Sequence, residues 1–196
     1  GKQIEFINID GKSDPVTVGN VAVELIDKGA ELIVAPCDFD FGGPASREAQ
    51  ASGLVGISTC ASDPLYSSWS LGDKQFTLSM WNTTMGAVAA DYAFKERGWK
   101  TAYVVTDQFI AYTKSLSKYF VAQFEANGGE IILEDTYTNG DNNFSAQLAL
   151  MDRTSAPLSA RCVKWVTTPL FWAVTPMTTR PCTRLWAINS ETMFTS

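Results

Sequence analysis

Two periods of apolar and polar positions alternate along the first 150 residues of the chain. Ile4-Glu5-Phe6-Ile7-Asn8-Ile9 is strand-like, and Ser13-Asp14-Pro15 opens a helix, with Asp14 as N-cap and Pro15 at N1, where a missing N–H costs nothing. Val18, Val21, Ala22, Leu25 and Ile26 then recur at helical spacing, and Gly29 supplies a left-handed stop. The short, continuously apolar run Leu32-Ile33-Val34-Ala35 predicts a parallel strand covered on both faces. Gly42-Gly43 reads as a turn, residues 44–50 as a short helix and residues 54–58 as the next strand. After a polar loop, residues 85–97 form an Ala-rich helix closed by Gly98, and residues 101–106 a buried strand. Residues 112–127 place Leu116, Tyr119, Phe120 and Phe124 along one helix face; Gly128-Gly129 ends that helix and Ile131-Ile132-Leu133 is a strand. Strand, helix, strand repeated in this way predicts an α/β fold with parallel sheets, helices on both faces and right-handed crossovers. Ligands in that class gather at the carboxyl ends of the strands, so the loops there are the candidate binding segments.

Beyond Leu150 the pattern stops. Residues 151–196 contain no Gly, although the first 150 contain all 14, and they carry nine Thr, four of the eight Pro and three of the six Trp. The charge changes sign as well: residues 1–150 carry 10 basic and 19 acidic side chains, and residues 151–196 carry 5 and 2. Residues 163–166 and 170–174 are strand candidates, but four prolines interrupt anything longer. The whole chain, 196 residues with 45% hydrophobic and 18% charged side chains, has enough apolar material for one larger domain or two small lobes. A net charge of −6 provides no basic face for a phosphate backbone, so a nucleic-acid partner is not expected. No apolar run approaches the roughly 20 residues that cross a bilayer, and Gly1-Lys2-Gln3 does not begin a signal peptide. The absence of His excludes Ser-His-Asp and Cys-His catalysis. The four Cys have no CxxC spacing, so zinc and thioredoxin-like chemistry are not indicated. Neither GxGxxG nor GxxxxGK[ST] occurs, which argues against a nucleotide-dependent α/β enzyme. No catalytic residue, metal or cofactor is expected.

The loops carry a family likeness. Asp10-Gly11-Lys12-Ser13-Asp14-Pro15, Ala35-Pro36, Ile57-Ser58-Thr59-Cys60-Ala61-Ser62-Asp63-Pro64, Phe76-Thr77-Leu78, Val104-Val105-Thr106-Asp107 with Tyr112, and Asp141-Asn142-Asn143-Phe144-Ser145 follow one another in order. Taken together they resemble the periplasmic type I substrate-binding proteins of ABC transporters, in particular the branched-chain amino-acid (leucine-binding) family and its amide-binding relatives, over about residues 4–150. The resemblance implies two Rossmann-like α/β lobes with parallel sheets that close on a small ligand, here residues 1–78 and 79–150. It further implies a periplasmic or extracytoplasmic place, an ABC permease as membrane partner, and binding without chemistry. The family's opening strand and helix and the remainder of its second lobe have no counterpart, so the chain reads as a fragment truncated at both ends. Residues 151–196 read as an atypical tail foreign to the family pattern. The same fold also serves as the ligand-sensing domain of receptors and regulators, which is the alternative function.

By position, the resemblance makes Ser58, Cys60, Ala61 and Ser62 the loop that holds a ligand's carboxylate and ammonium through hydroxyls and backbone groups. Free N–H groups at a strand end suit such an anion, and an Asx or ST turn is the competing role. Asp38 and Asp40 occupy the preceding loop, where the family commonly presents a Ser; they either hold an ammonium group or serve as helix caps. Phe39 and Phe41 either line the apolar side of a ligand or pack beneath the loop. Tyr112 matches the Tyr that closes over the ligand, with Thr113 in place of the usual Gly, and Asp107 suits loop capping better than ligand contact. The expected ligand is an amino acid or a related small polar molecule with at least one amine. Cys37 and Cys60 each end a strand, and those strands are expected to be neighbours. The pair is either a disulfide, as fits an extracytoplasmic compartment, or two buried thiols.

Overall fold

The structure, a computed structural model, describes residues 3–154 and 164–166. Cys162, Cys182 and the strand candidate at residues 170–174 lie outside the described residues. The described residues divide into two compact units, one of residues 3–85 with 110–116 and the other of residues 86–109 with 117–154 and 164–166. Among the described residues no helix is long and apolar enough to cross a membrane.

In the first unit, α1 (Pro15–Asp27) starts as its sequence dictates: the Asp14 carboxylate accepts hydrogen bonds from Thr17 N at 2.7 Å and Thr17 Oγ1 at 2.6 Å, and Pro15 occupies the first turn. Lys28 caps its end, followed by Gly29 at a φ of +87°. Strands β1 (Leu32–Ala35), β2 (Val55–Ser58) and β3 (Gln75–Thr77) form a parallel sheet in that order, with α2 (Phe39–Ala51) between the first two and the short α3 (Ser68–Leu71) before the third. Val18 and Ala22 of α1, Ala45 and Ala49 of α2, and Ile33 and Ala35 of β1 share one apolar core with Ala61, Tyr66 and Leu71.

Three features of this unit differ from the sequence pattern. Residues 4–9 form no strand, and Ile4 and Phe6 are 80% and 85% exposed; a strand exists only with a ladder partner, and no described segment supplies one. Leu32, Val34 and Phe76 are 46%, 63% and 51% exposed, so the face of β1 opposite Ile33 and Ala35 is uncovered rather than sandwiched between helices. The ladder pairs Val34 with Ile57 and Ile57 with Phe76, which puts these side chains on one open sheet face. The Gly42-Gly43 turn is absent as well: α2 begins at Phe39 and runs through both glycines and Pro44. The role of Gly42 is close approach. A methyl group at Gly42 would run into the Pro36 carbonyl oxygen and lie 3.1 Å from the Tyr66 ring.

The second unit is covered on both sides of its central strand. β4 (Thr101–Asp107) lies between β5 (Glu130–Tyr137) and β6 (Lys164–Val166), all parallel. Ala102 and Val104 pack with Ala90, Ala93 and Trp99, from the end of α4 (Asn82–Asp91) and the π-helical turn and loop that follow, and with Phe120 and Phe124 of α5 (Ala111–Ala126). On the other face Tyr103 and Val105 pack with Ile132, Leu133 and Leu148, the last from α6 (Ser145–Thr154). Phe124 is the centre of the first of these clusters: it stacks on Phe120 at 5.5 Å and meets Phe94 edge-on at 5.8 Å. Phe124→Ala removes both ring contacts and leaves a cavity, so it is expected to lower the stability of this unit by about 3–5 kcal/mol in urea unfolding.

Candidate functional site

The β1–β2 ladder ends at the pair Ala35 and Ser58, and both chains continue as loops at the carboxyl edge of the sheet. Two residues further along each strand, Cys37 and Cys60 are joined by a disulfide, their Cα atoms 4.9 Å apart. This distance matches the usual spacing of neighbouring strands, so the bridge continues the register as a covalent rung. Cys37 is exposed and Cys60 half-buried, so the alternative of two buried thiols does not describe them.

Ser58 is fully buried, and its hydroxyl is fully engaged: it donates to Pro36 O at 3.0 Å and accepts from Ala61 N at 3.0 Å and Cys60 N at 3.4 Å. Those two backbone N–H groups are therefore turned onto Ser58. Ala61 is fully buried and its carbonyl accepts from Thr77 Oγ1 at 2.6 Å, which fixes the loop to β3. Ser62 is buried with its carbonyl bonded to Asn82 N at 2.8 Å, while its hydroxyl has no hydrogen-bond partner among the described residues. Asp63 closes the loop as an Asx turn onto Leu65 N.

The two carboxylates of the preceding loop are put to different uses. Asp40, in the first turn of α2, accepts from Ala111 N at 2.8 Å across 71 residues of sequence and so caps the start of α5. Asp38 sits at the N-cap of α2 at a φ of +66°, outside the conformations most side chains adopt, and makes no capping hydrogen bond. It is half-buried, and its carboxylate has neither a hydrogen-bond nor an ion-pair partner among the described residues. Burial first, and the charge of Asp40 second, raise its carboxyl above the ordinary value of 3.8. Phe39 packs on the core of this unit with the Arg47 guanidinium 5.5 Å from its ring centre, and Phe41 is half-buried in the same helix.

Tyr112 belongs to the same unit, half-buried in the first turn of α5. Its phenol is pushed up by burial and, secondarily, by the Asp38 charge, so the two side chains lie within electrostatic reach. Asn82, which the sequence pattern does not single out, is fully buried and joins the parts: its N–H donates to Ser62 O, and its amide donates to Tyr112 O at 3.1 Å and Ser115 Oγ at 2.7 Å. Asp107, by contrast, lies in the second unit and accepts from Phe109 N at 2.8 Å, a loop-capping contact. The first unit thus brings together Asp38, Asp40, Ser58, Cys60, Ala61, Ser62 and Tyr112, and leaves the Asp38 carboxylate and Ser62 hydroxyl unsatisfied by the protein.

A parallel α/β unit with unsatisfied polar groups in its strand-end loops is the arrangement of a ligand-binding α/β protein. The family model described as periplasmic binding protein matches residues 1–157, and the chain belongs to that family. The Leu/Ile/Val-binding protein BraC3 of Rhizobium johnstonii is 25% identical over 146 residues, which make up 74% of this chain and 39% of that protein. LivJ of Streptococcus pneumoniae, a branched-chain amino acid transporter substrate-binding protein solved with isoleucine, is 26% identical with a TM-score of 0.69 over 78% of this chain and 42% of its own. The leucine-binding protein LivK of Thermotoga maritima shares the fold, with 24% identity and a TM-score of 0.71 over 79% of this chain and 43% of its own. The chain therefore spans about two fifths of the length of the relatives it matches, and these relatives are binding proteins rather than enzymes.

The raised Asp38 carboxyl has a measurable consequence. The folded chain binds that proton more readily than the unfolded chain, so ionising Asp38 lowers stability. The penalty is absent below the unfolded value of 3.8 and develops as pH rises through the folded value. Asp38→Asn is expected to raise the urea midpoint at pH 7 and to leave it unchanged at about pH 3. A midpoint difference that does not vary with pH is the contrary result.

Proposed function

We propose that this chain is part of the extracytoplasmic solute-binding component of an ABC transporter, and that its first unit holds a small polar ligand bearing an amine, such as an amino acid or an amide-like relative. The observation that carries the reading is Asp38, a half-buried carboxylate without a partner in a strand-end loop of a periplasmic binding protein family member. A desolvated carboxylate is stabilised by a cation that donates hydrogen bonds to it, and a ligand ammonium is such a cation. In this reading the Ser62 hydroxyl bonds the ligand's carboxylate or amide, and the Tyr112 ring lies along its apolar part. Asp40, Ser58, Cys60, Ala61 and Phe39 shape the loops that present those groups.

BraC3 and LivJ, by their names, handle branched-chain amino acids, which supports an amino-acid ligand. Membership of the family and the Cys37–Cys60 disulfide both support an extracytoplasmic location, where such bonds persist. The lobes read from the sequence, residues 1–78 and 79–150, belong to the same proposal. The mechanism is conformational: the ligand stabilises the state to which it binds best, and a membrane permease recognises that state. This reading requires no cofactor.

Thermal unfolding in the presence of L-leucine, L-isoleucine, acetamide, putrescine and benzoate tests it. An amine-bearing ligand at about 100 times its Kd is expected to stabilise the chain by about 2.7 kcal/mol, a rise of several degrees in Tm. Asp38→Asn is expected to weaken that ligand about 10–100-fold by calorimetry. Stabilisation by benzoate only, with no effect of Asp38→Asn, would exclude the amine reading.

A further inference from the structure

We infer that the Cys37–Cys60 disulfide is a positioning device for the candidate binding loops, so that ligand affinity depends on its redox state. The inference rests on the ligand site proposed above and concerns what holds that site in shape.

The hydrogen-bonded ladder stops at Ala35 and Ser58, so residues 36–38 and 59–62 run past the last backbone rung. Between these loops the side-chain connection is the Ser58 hydroxyl to Pro36 O, at 3.0 Å, and beyond it the covalent bond is the next link. Asp38 directly follows Cys37, and Ser62 lies two residues after Cys60. Two forces act to open the first loop. The Asp38 backbone is held at a φ of +66°, and its half-buried carboxylate is repelled by Asp40 and favours water. A bond whose Cα atoms are 4.9 Å apart, two residues past the last ladder pair, resists both.

The placement of the bridge separates this role from general stabilisation. Neither cysteine belongs to the apolar core of the first unit, which is built from α1, α2, β1 and the residues following β2. Removing the bond therefore leaves the core side chains in place, that of Ala61 at the far end of the second loop included, and frees the loop backbone nearest the bridge. Cys37 is exposed, so a dissolved thiol can reach it. In reduction by a small dithiol, one of its thiolates attacks the Cys37 sulfur, which forms a mixed disulfide with Cys37 and releases Cys60 as its thiolate; the dithiol's second thiolate then attacks the dithiol sulfur of that mixed disulfide and releases Cys37. Two electrons and two protons pass to Cys37 and Cys60, and the dithiol leaves as a cyclic disulfide.

The test compares the oxidised chain, the chain reduced with dithiothreitol, and Cys37→Ser/Cys60→Ser. Hydrogen exchange is read over the whole chain, and affinity is read calorimetrically with L-isoleucine and putrescine. The expected result is faster exchange confined to residues 36–41 and 58–63 in the reduced and doubly substituted chains, with core amides such as those of Ile33 and Ala49 still protected. Affinity is expected to fall about tenfold or more in both, to return on reoxidation of the native chain, and to be insensitive to dithiothreitol in the double variant. Unchanged exchange in the two loops overturns the inference whatever the ligand does, and so does equal affinity in all three forms. Exchange that rises across the entire first unit also overturns it, since that is general stabilisation. If the oxidised chain binds neither probe, the amine-ligand reading fails, while the exchange result still decides the role of the bridge.

Discussion

Much of the first unit depends on how the Ser58 hydroxyl is used. It sits at the last rung of the β1–β2 ladder, with no access to solvent, and one oxygen serves a carbonyl on one loop and backbone N–H groups on the other. A parallel pair that ends inside a protein leaves donors and acceptors that water cannot reach, and such groups must be bonded. Ser is the smallest side chain that both donates and accepts, which lets the two loops leave the sheet side by side. The position of Cys37 opposite Cys60 follows from that parallel exit. So does the placement of Asp38 on one loop and Ser62 on the other.

The acidic loop shows how two identical side chains acquire separate tasks from backbone position. Asp40 lies in a helical turn and reaches the open end of another helix, where a carboxylate is favoured by both hydrogen bonding and the helix dipole. Asp38, two residues earlier, precedes the helix in a conformation that carries its carboxylate away from the N–H groups it would otherwise cap. One is satisfied inside the protein and the other is not. The unsatisfied member is the one on which the proposed ligand chemistry rests, and the satisfied one ties α2 to the first turn of α5, where Tyr112 lies.

What the sequence made legible was local. The Asp14-Pro15 start and Gly29 stop of α1 depend on neighbours within four residues, as do the apolar face of α5 and the continuous burial of β4. What it obscured was distant. Residues 4–9 have the alternation of a strand, but pairing is a property of two segments. Gly42-Gly43 looked like a turn because a glycine that admits a nearby carbonyl is indistinguishable, in one dimension, from a glycine that bends the chain. Asn82 gave no signal, since its three partners are 20 to 33 residues away and its importance lies in joining them. The family likeness was nevertheless legible, because the order and spacing of short motifs along the chain carried it where individual side chains did not.

The open face of the first sheet has a colloidal consequence. Leu32, Val34, Ile57 and Phe76 form an apolar strip on a chain whose first 150 residues carry nearly twice as many acidic as basic side chains. At neutral pH that excess keeps copies apart by long-range repulsion, against a short-range attraction between the unwettable strips of two copies. Acid or high salt removes the first and leaves the second. Dispersion in water is therefore a balance struck between one bare surface and the charge spread over the others, and its margin is widest where the carboxylates are ionised and salt is low.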